Sequence, residues 1–162
     1  MIVDQRKFRD ISGSFATGVT VVTTKNEKGH PVGMTANSFT SLSLDPPLVI
    51  INVDKKSSLY TEFLNAESFA VNILSSEQED ISRRFSTKNI DRFEGISYEE
   101  DVTGSPILKD VIGYFDCDIV KHYDGGDHTI LIGETKGGNI GSGEPLIFYR
   151  GKYQHVNNPV VK

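Results

Sequence analysis

The feature that most constrains this chain is a succession of β-branched and apolar runs that do not alternate regularly with helices. Val19-Thr20-Val21-Val22-Thr23-Thr24 reads as a strand, Asn26-Glu27-Lys28-Gly29 supplies turn chemistry, and residues 31–39 resume an extended pattern, so a β-hairpin is expected. Behind Asp45-Pro46-Pro47, the run from Leu48 to Val53 is apolar on both faces, as a buried central strand would be. Residues 69–74, 111–122 and 129–136 read as further strands, the last two joined through Asp124-Gly125-Gly126-Asp127, with a final strand pair at 146–149 and 152–156.

The helical signals are peripheral. Phe8, Ile11 and Phe15 recur at helical spacing behind the cap residue Asp4, giving an amphipathic helix over about residues 3–15 with Gly18 beyond it. Ser57 and Ser58 precede a helix carrying Leu59, Tyr60, Phe63 and Leu64, and Ser75-Ser76-Glu77-Gln78-Glu79 offers capping boxes for another reaching about Phe85. Residues 88–104 are polar and aperiodic, and a loop of that length is usually functional or mobile. A mainly β fold follows, a closed or nearly closed antiparallel barrel with peripheral α-helices rather than a doubly wound sheet.

Length and composition narrow the function classes. At 162 residues the chain is one domain long, and it can bury roughly 68 to 70% of its unfolded surface without disulfides or metals. We therefore read residues 1–162 as a single domain. The lone Cys117 excludes an intrachain disulfide and a Cys-x-x-Cys pair. Seventeen Lys and Arg against 22 Asp and Glu give a net charge of -5, which disfavours nucleic-acid binding. No apolar run resembles a signal peptide or a membrane span, so the expectation is a cytoplasmic protein with no membrane partner.

Several catalytic signatures are missing. The cluster Gly137-Gly138-Asn139-Ile140-Gly141-Ser142-Gly143 has the wrong spacing for a dinucleotide fingerprint and reads as a loop. His30, His122, His128 and His155 lack ligand spacing, and there is no Gly-x-Ser-x-Gly elbow. What remains is polar and neutral. In Thr35-Ala36-Asn37-Ser38-Phe39-Thr40-Ser41-Leu42-Ser43, six of nine residues carry hydroxyl or carboxamide groups, which suits either the polar edge of a flat heteroaromatic ring or a strand-end turn satisfying its own backbone. Lys55 and Lys56, just before Ser57, form either a phosphate corner or a solvated lysine pair. A ring edge and a phosphate corner separated by one strand suggest a flavin or pyridoxal-type nucleotide.

An ordered set of motifs carries a resemblance. Phe15-Ala16-Thr17-Gly18-Val19-Thr20-Val21-Val22-Thr23-Thr24 is followed by Gly33-Met34-Thr35-Ala36-Asn37-Ser38-Phe39 and by Ser41-Leu42-Ser43-Leu44-Asp45-Pro46-Pro47. Ala70-Val71-Asn72-Ile73-Leu74, Asp91-Arg92-Phe93, Gly126-Asp127-His128-Thr129 with Gly133-Glu134, and Gly151-Lys152-Tyr153 come after them. Together they closely resemble the short-chain flavin reductases of two-component monooxygenases.

The resemblance implies an FMN-binding split barrel, a homodimer, in which NADH or NADPH reduces FMN or FAD and the reduced flavin diffuses to a separate oxygenase component. Carried over by position, Thr35, Ala36, Asn37 and Ser38 would face the isoalloxazine edge, with Ser41 and Ser43 near the ribityl and phosphate portion. Asp54, Lys55, Lys56 and Ser57 would border the phosphate end. Phe85 and Ser86 match a segment closing over the flavin, although the family often has Phe-Ala-Gly where this chain has Phe85-Ser86-Thr87. His128 resembles the family histidine of the nicotinamide groove, and Tyr153 and Arg92 would line the same groove. Hydride transfer between two cofactors needs no protein nucleophile, which accounts for the missing motifs. A flavin-bound electron carrier and a non-enzymatic flavin-binding module are the competing classes.

Overall fold

The computed structural model describes residues 3–156. In chain order the elements are α1 (Gln5–Gly13), β1 (Thr17–Gly18), β2 (Thr20–Lys25), β3 (Pro31–Ala36), β4 (Thr40–Leu44), β5 (Pro47–Asp54), α2 (Tyr60–Asn65), β6 (Ser68–Ile73), a 3-10 turn (Ser76–Gln78), α3 (Glu79–Ser86), β7 (Tyr98–Glu100), β8 (Pro106–Leu108), β9 (Gly113–Gly125), β10 (His128–Ile140), β11 (Ile147–Tyr149) and β12 (Lys152–Gln154). Seven strands form one antiparallel sheet in the order β3-β2-β6-β9-β10-β5-β4. The sheet does not close, since no pairing joins β3 to β4 among the described residues.

One core cluster nevertheless draws side chains from both halves of that order. Val22 of β2, Val49, Ile51 and Val53 of β5, Phe63 of α2, Phe69 and Val71 of β6, Cys117 of β9 and Leu131 of β10 pack together, with Met34 and Ala36 of β3 against them. Strands separated by this much sheet can share a core only if the sheet curls on itself, which makes a barrel split at the β3 and β4 edges. The expected mainly β, split-barrel architecture with peripheral helices is therefore the one observed. Burial pushes the Cys117 thiol up to about 12, the Thr135 hydroxyl opposing this only in part.

A second cluster, Val19, Val21, Leu74, Phe85, Phe93, Leu108 and Leu146, covers the other face of β2. Because Val21 points into one cluster and Val22 into the other, β2 is buried on both faces, as is its neighbour β6, where Phe69 to Asn72 are all buried. The expectation placed that role on residues 48–53. In β5, however, only Val49, Ile51 and Val53 are buried, while Leu48, Ile50 and Asn52 are half-buried next to the edge strand β4. A hydrophobic run records how much apolar surface a strand carries, not which neighbour covers it.

Local chemistry sets the remaining elements. The Asp4 carboxylate accepts the Lys7 amide at 2.8 Å and caps α1, which ends at Gly13 rather than near Phe15. The Ser75 and Gln78 side chains form a reciprocal capping box before α3. Asn72, fully buried, accepts the Leu108 amide at 2.8 Å and donates to Val21 O and Thr23 Oγ1, both at 3.0 Å, so it fastens β8 to the β2–β6 pair. The stretch expected as a glycine loop is partly strand. Gly137, Gly138 and Asn139 pair with Asp116, Phe115 and Tyr114, and two register shifts in the β9–β10 ladder absorb the irregularity.

Candidate flavin and nicotinamide site

The candidate residues fall into two clusters and one outlying strand. In the first, β3 meets α3 and β12. Thr35 Oγ1 donates to the Ser82 carbonyl at 2.6 Å, and the buried Ser82 hydroxyl lies 2.7 Å from the Tyr153 hydroxyl. The Arg83 guanidinium stands 4.8 Å from the Tyr153 ring centre. Thr20 Oγ1 donates to the Ala36 carbonyl at 2.7 Å, so the backbone of this strand end is held from beneath as well. Asn37 follows at an exposed bend, and its carboxamide has no hydrogen-bond partner among the described residues.

The second cluster surrounds the end of β5. Asp54 pairs with His128, and the Lys55 amide donates to the Asp127 carbonyl at 3.0 Å. The Lys55 ammonium is engaged by the Asp124 carboxylate and by the Gly126 carbonyl, which raises its pKa above the ordinary lysine value and lowers that of Asp124. Asp54 Oδ1 accepts the Lys56 amide at 2.8 Å. The Lys56 ammonium therefore carries the cationic character here, with no ion-pair partner among the described residues. His128 Nδ1 lies 2.7 Å from Asp127 Oδ1, and this hydrogen bond holds the Asp127 carboxyl below the usual carboxylate range. The ring stays 42% exposed.

Ser38 links the two clusters. Its hydroxyl donates to the Asn52 carbonyl at 3.3 Å, two residues before Asp54 on β5. Ser41 and Ser43 lie elsewhere, opposite Val49 and Leu48. The five-residue step from Val49 to Asp54 is about 17 Å along a strand, so these serines lie farther along β5 from the Asp54–Ser57 segment than Ser38 does.

Two candidate residues make contacts within the fold, and one expected helix cap is displaced. Phe85 is fully buried, edge-on to Phe93 at 5.0 Å, so α3 presents Ser86 outward while the Phe85 ring is core. Helical periodicity puts Phe85 on the same face as Ile81 and Ser82, which is the face α3 buries. Arg92 is a half-buried staple: Nε donates to Thr87 O and Nη1 to Gly33 O, both at 2.8 Å, and desolvation lowers its pKa. The expected serine cap of α2 is also displaced. Its N-cap is Leu59, whose amide donates to Ser57 Oγ at 3.2 Å, and the helix has only six residues.

Sequence reasoning missed Ser82 and Asp127. Ser82 gives no signal, because its role depends on α3 lying across β3. Asp127 was legible as the neighbour of His128 in Gly126-Asp127-His128-Thr129. A cavity of about 730 Å³ by the β2–β3 turn, holding the Lys25–Glu100 ion pair's lysine and the Glu27–Asn65 hydrogen bond, contains none of the candidate residues.

The curled antiparallel sheet, open between β3 and β4, puts the chain in the class of split β-barrels, and comparison with known proteins identifies the family. Residues 12–157 match the flavin reductase like domain, and the chain belongs to that family. It is similar to the reductase component of the flavin-dependent trigonelline monooxygenase of Acinetobacter baylyi, at 44% identity over 91% of this chain and 48% of the relative. The FMN reductase (NADH) SmoA of Agrobacterium fabrum is 41% identical over 93% of this chain and 85% of its own length. Among solved structures, the NADH:FAD oxidoreductase SgcE6 of Streptomyces globisporus, in complex with NAD and FAD fragments, superimposes with a TM-score of 0.90 at 35% identity, covering 100% of this chain and 99% of that one. The chain spans about half the length of the first two curated relatives it matches and more of several others.

Proposed function

We propose that the chain is an NAD(P)H-dependent flavin reductase, one domain over residues 1–162, that passes a hydride from NADH or NADPH to FMN or FAD. The reduced flavin then serves a separate monooxygenase component. The family match over residues 12–157 carries this reading, because it spans every element that holds a candidate residue.

The side chains present suit the cofactor. Asn37 offers an unengaged carboxamide to a heteroaromatic edge, and Lys56 offers an ammonium group to a phosphate. When bound, the flavin takes up the hydride that the nicotinamide gives, and the protein's task is orientation and electrostatics. Thr35, fixed by Ser82, holds the strand end against α3 so that the backbone of residues 35–38 keeps one shape. His128, fixed through Nδ1 by Asp127, directs Nε2 outward, where it can accept from the nicotinamide carboxamide. Tyr153, fixed by Ser82 and Arg83, borders the ring side.

A homodimer belongs to the same proposal. Phe8, Ile11 and Phe15 of the α1 region and Leu42 and Leu44 of β4 are exposed, Leu44 at 95%, and apolar side chains left open in this number support the reading that a second subunit covers them. Among the described residues no helix is long and apolar enough to cross a membrane. A cytoplasmic enzyme that meets its oxygenase through diffusing reduced flavin fits this description.

The test is oxidation of NADH and NADPH followed at the nicotinamide absorbance band, with FMN, FAD or no flavin. Turnover that depends on added flavin is expected. A yellow protein inert to both nicotinamides would mean an electron carrier, and a colourless inert one a binding module.

A further inference from the structure

The turn that carries Asp127 and His128 has little of the sheet to rest on. β6 pairs with β9 only from Gly113 to Asp118, so beyond Ile119 the strand has β10 as its sole neighbour among the described residues. On its far side β10 reaches only the last residue of β5, where His128 pairs with Asp54. A register shift leaves Val120 without a partner between Ile119 and Lys121, and such a bulge re-aims the tip relative to the ladder below it. The turn itself is Asp124-Gly125-Gly126-Asp127, with Gly126 at φ 75, and glycine has more backbone freedom to lose than any other residue. Nothing local to this turn fixes where the His128 ring stands.

The residue after Asp54 supplies the constraint. Lys55 holds the turn at three points: its amide donates to Asp127 O at 3.0 Å, and its ammonium donates to Gly126 O at 2.7 Å and to the Asp124 carboxylate. Asp124 begins the turn and Asp127 ends it, so one residue spans the whole of it. From the buried side, the Tyr60 hydroxyl lies 2.8 Å from that of Thr129 and steadies the position next to His128. Asp127 then passes the constraint to the ring through the contact with Nδ1 at 2.7 Å.

The neighbouring lysine makes none of these contacts. Lys56 is exposed, donates its amide to Asp54 Oδ1, and has no ion-pair partner among the described residues. Two adjacent lysines at one corner therefore differ in what their charge meets. Asp124 neutralises that of Lys55, and that of Lys56 remains open to an anion.

From this arrangement, and resting on the flavin reductase reading, we infer that Lys55 is a positioning residue for His128: it serves the nicotinamide side of the reaction by pinning the Asp124–Asp127 turn, and it leaves the flavin phosphate to Lys56. The two lysines divide one corner between two nucleotides.

The direct experiment is NMR on the full chain without ligands, comparing wild type with Lys55→Met, which keeps the length of the stem, and with Asp124→Asn, which breaks the same contact from its other end. Both side chains reach solvent, and circular dichroism checks the fold of each variant. Backbone order parameters of residues 124–128 should fall in both variants, with the rest of β10 unchanged, and the His128 ring nitrogen signals should move. Order parameters and ring signals that stay at their wild-type values overturn the proposal.

Steady-state arms separate the two lysines. Lys55→Met should raise the KM for NADH about fivefold and leave those for FMN and riboflavin unchanged. Lys56→Met should raise the KM for FMN alone, because riboflavin carries no phosphate. The double variant of Lys55→Met with Asp124→Asn should show a KM for NADH no higher than Lys55→Met by itself, since both remove one contact. A rise for FMN with riboflavin spared in Lys55→Met would make Lys55 a phosphate ligand and overturn the assignment, as would a loosened turn with the KM for NADH unchanged. A chain whose turn loosens in Lys55→Met but which reduces no flavin would refute the activity and leave the hold on the turn standing; a flavin reductase whose turn is indifferent to Lys55 would do the reverse.

Discussion

His128 shows how a single residue can be legible in kind and still depend on its surroundings. Its place beside Asp127 is written in the sequence, and the 2.7 Å contact between the two side chains follows from that adjacency together with the start of β10. Under the proposed role of His128 at the nicotinamide, His128→Ala should raise the KM for NADH about tenfold, the worth of one good hydrogen bond to a charged or polarised group, and leave flavin affinity unchanged. Unchanged steady-state constants would remove the histidine from the site. Lys55 was less legible, because its partner Asp124 lies 69 positions away. Its raised pKa means that its share of the pairing is complete below the ordinary lysine value and is lost as pH rises through the higher native one. The lowered pKa of Asp124 means that its share is present above the ordinary carboxylate value and is lost as pH falls through the lower native one. The pair therefore persists between those limits, and in Asp124→Asn an NMR titration should find the Lys55 midpoint returned toward about 10.4. A midpoint that does not move would show that Asp124 is not the cause.

At the scale of elements, periodicity located most strands and the three helices, because side-chain alternation and capping are local. It misjudged which strands are buried on both faces and read Gly137 and Gly138 as loop, because both depend on neighbours in the sheet. Gly133 illustrates the difference. It sits where β10 passes over β6 and β9, and a Cβ there would meet Phe69 Cζ at 2.5 Å and Cys117 Cβ at 2.9 Å. No flexible chain end can yield at that point, since Phe69 is fully buried. Gly133→Ala should cost about 1 to 3 kcal/mol by overpacking, measured as a lower urea midpoint at constant slope. An unchanged midpoint would mean that the crossing is looser than the contacts indicate.

For the whole molecule, the unanswered demand is cover for the apolar side chains at α1 and β4. A dimer through the β4 edge predicts a sedimentation mass of two chains for the wild type. Leu44→Asp, at a position 95% exposed in the protomer, should shift that mass toward one chain and reduce flavin turnover, while a wild-type monomer with full activity would contradict the dimer. The chain's order of strand and turn residues determined a mainly β fold, and its ordered motifs determined the flavin reductase family, because both are carried by residues close together in the sequence. The tertiary structure alone decided that Phe85 is core, that Arg92 is a staple, that Ser41 and Ser43 stand about 17 and 20 Å along β5 from Asp54, and that Ser82 joins Thr35 to Tyr153. Each of these follows from the curl of the sheet and the lie of α3 across β3. Such contacts join residues far apart in the chain, and nothing in a local pattern records which distant side chain will arrive.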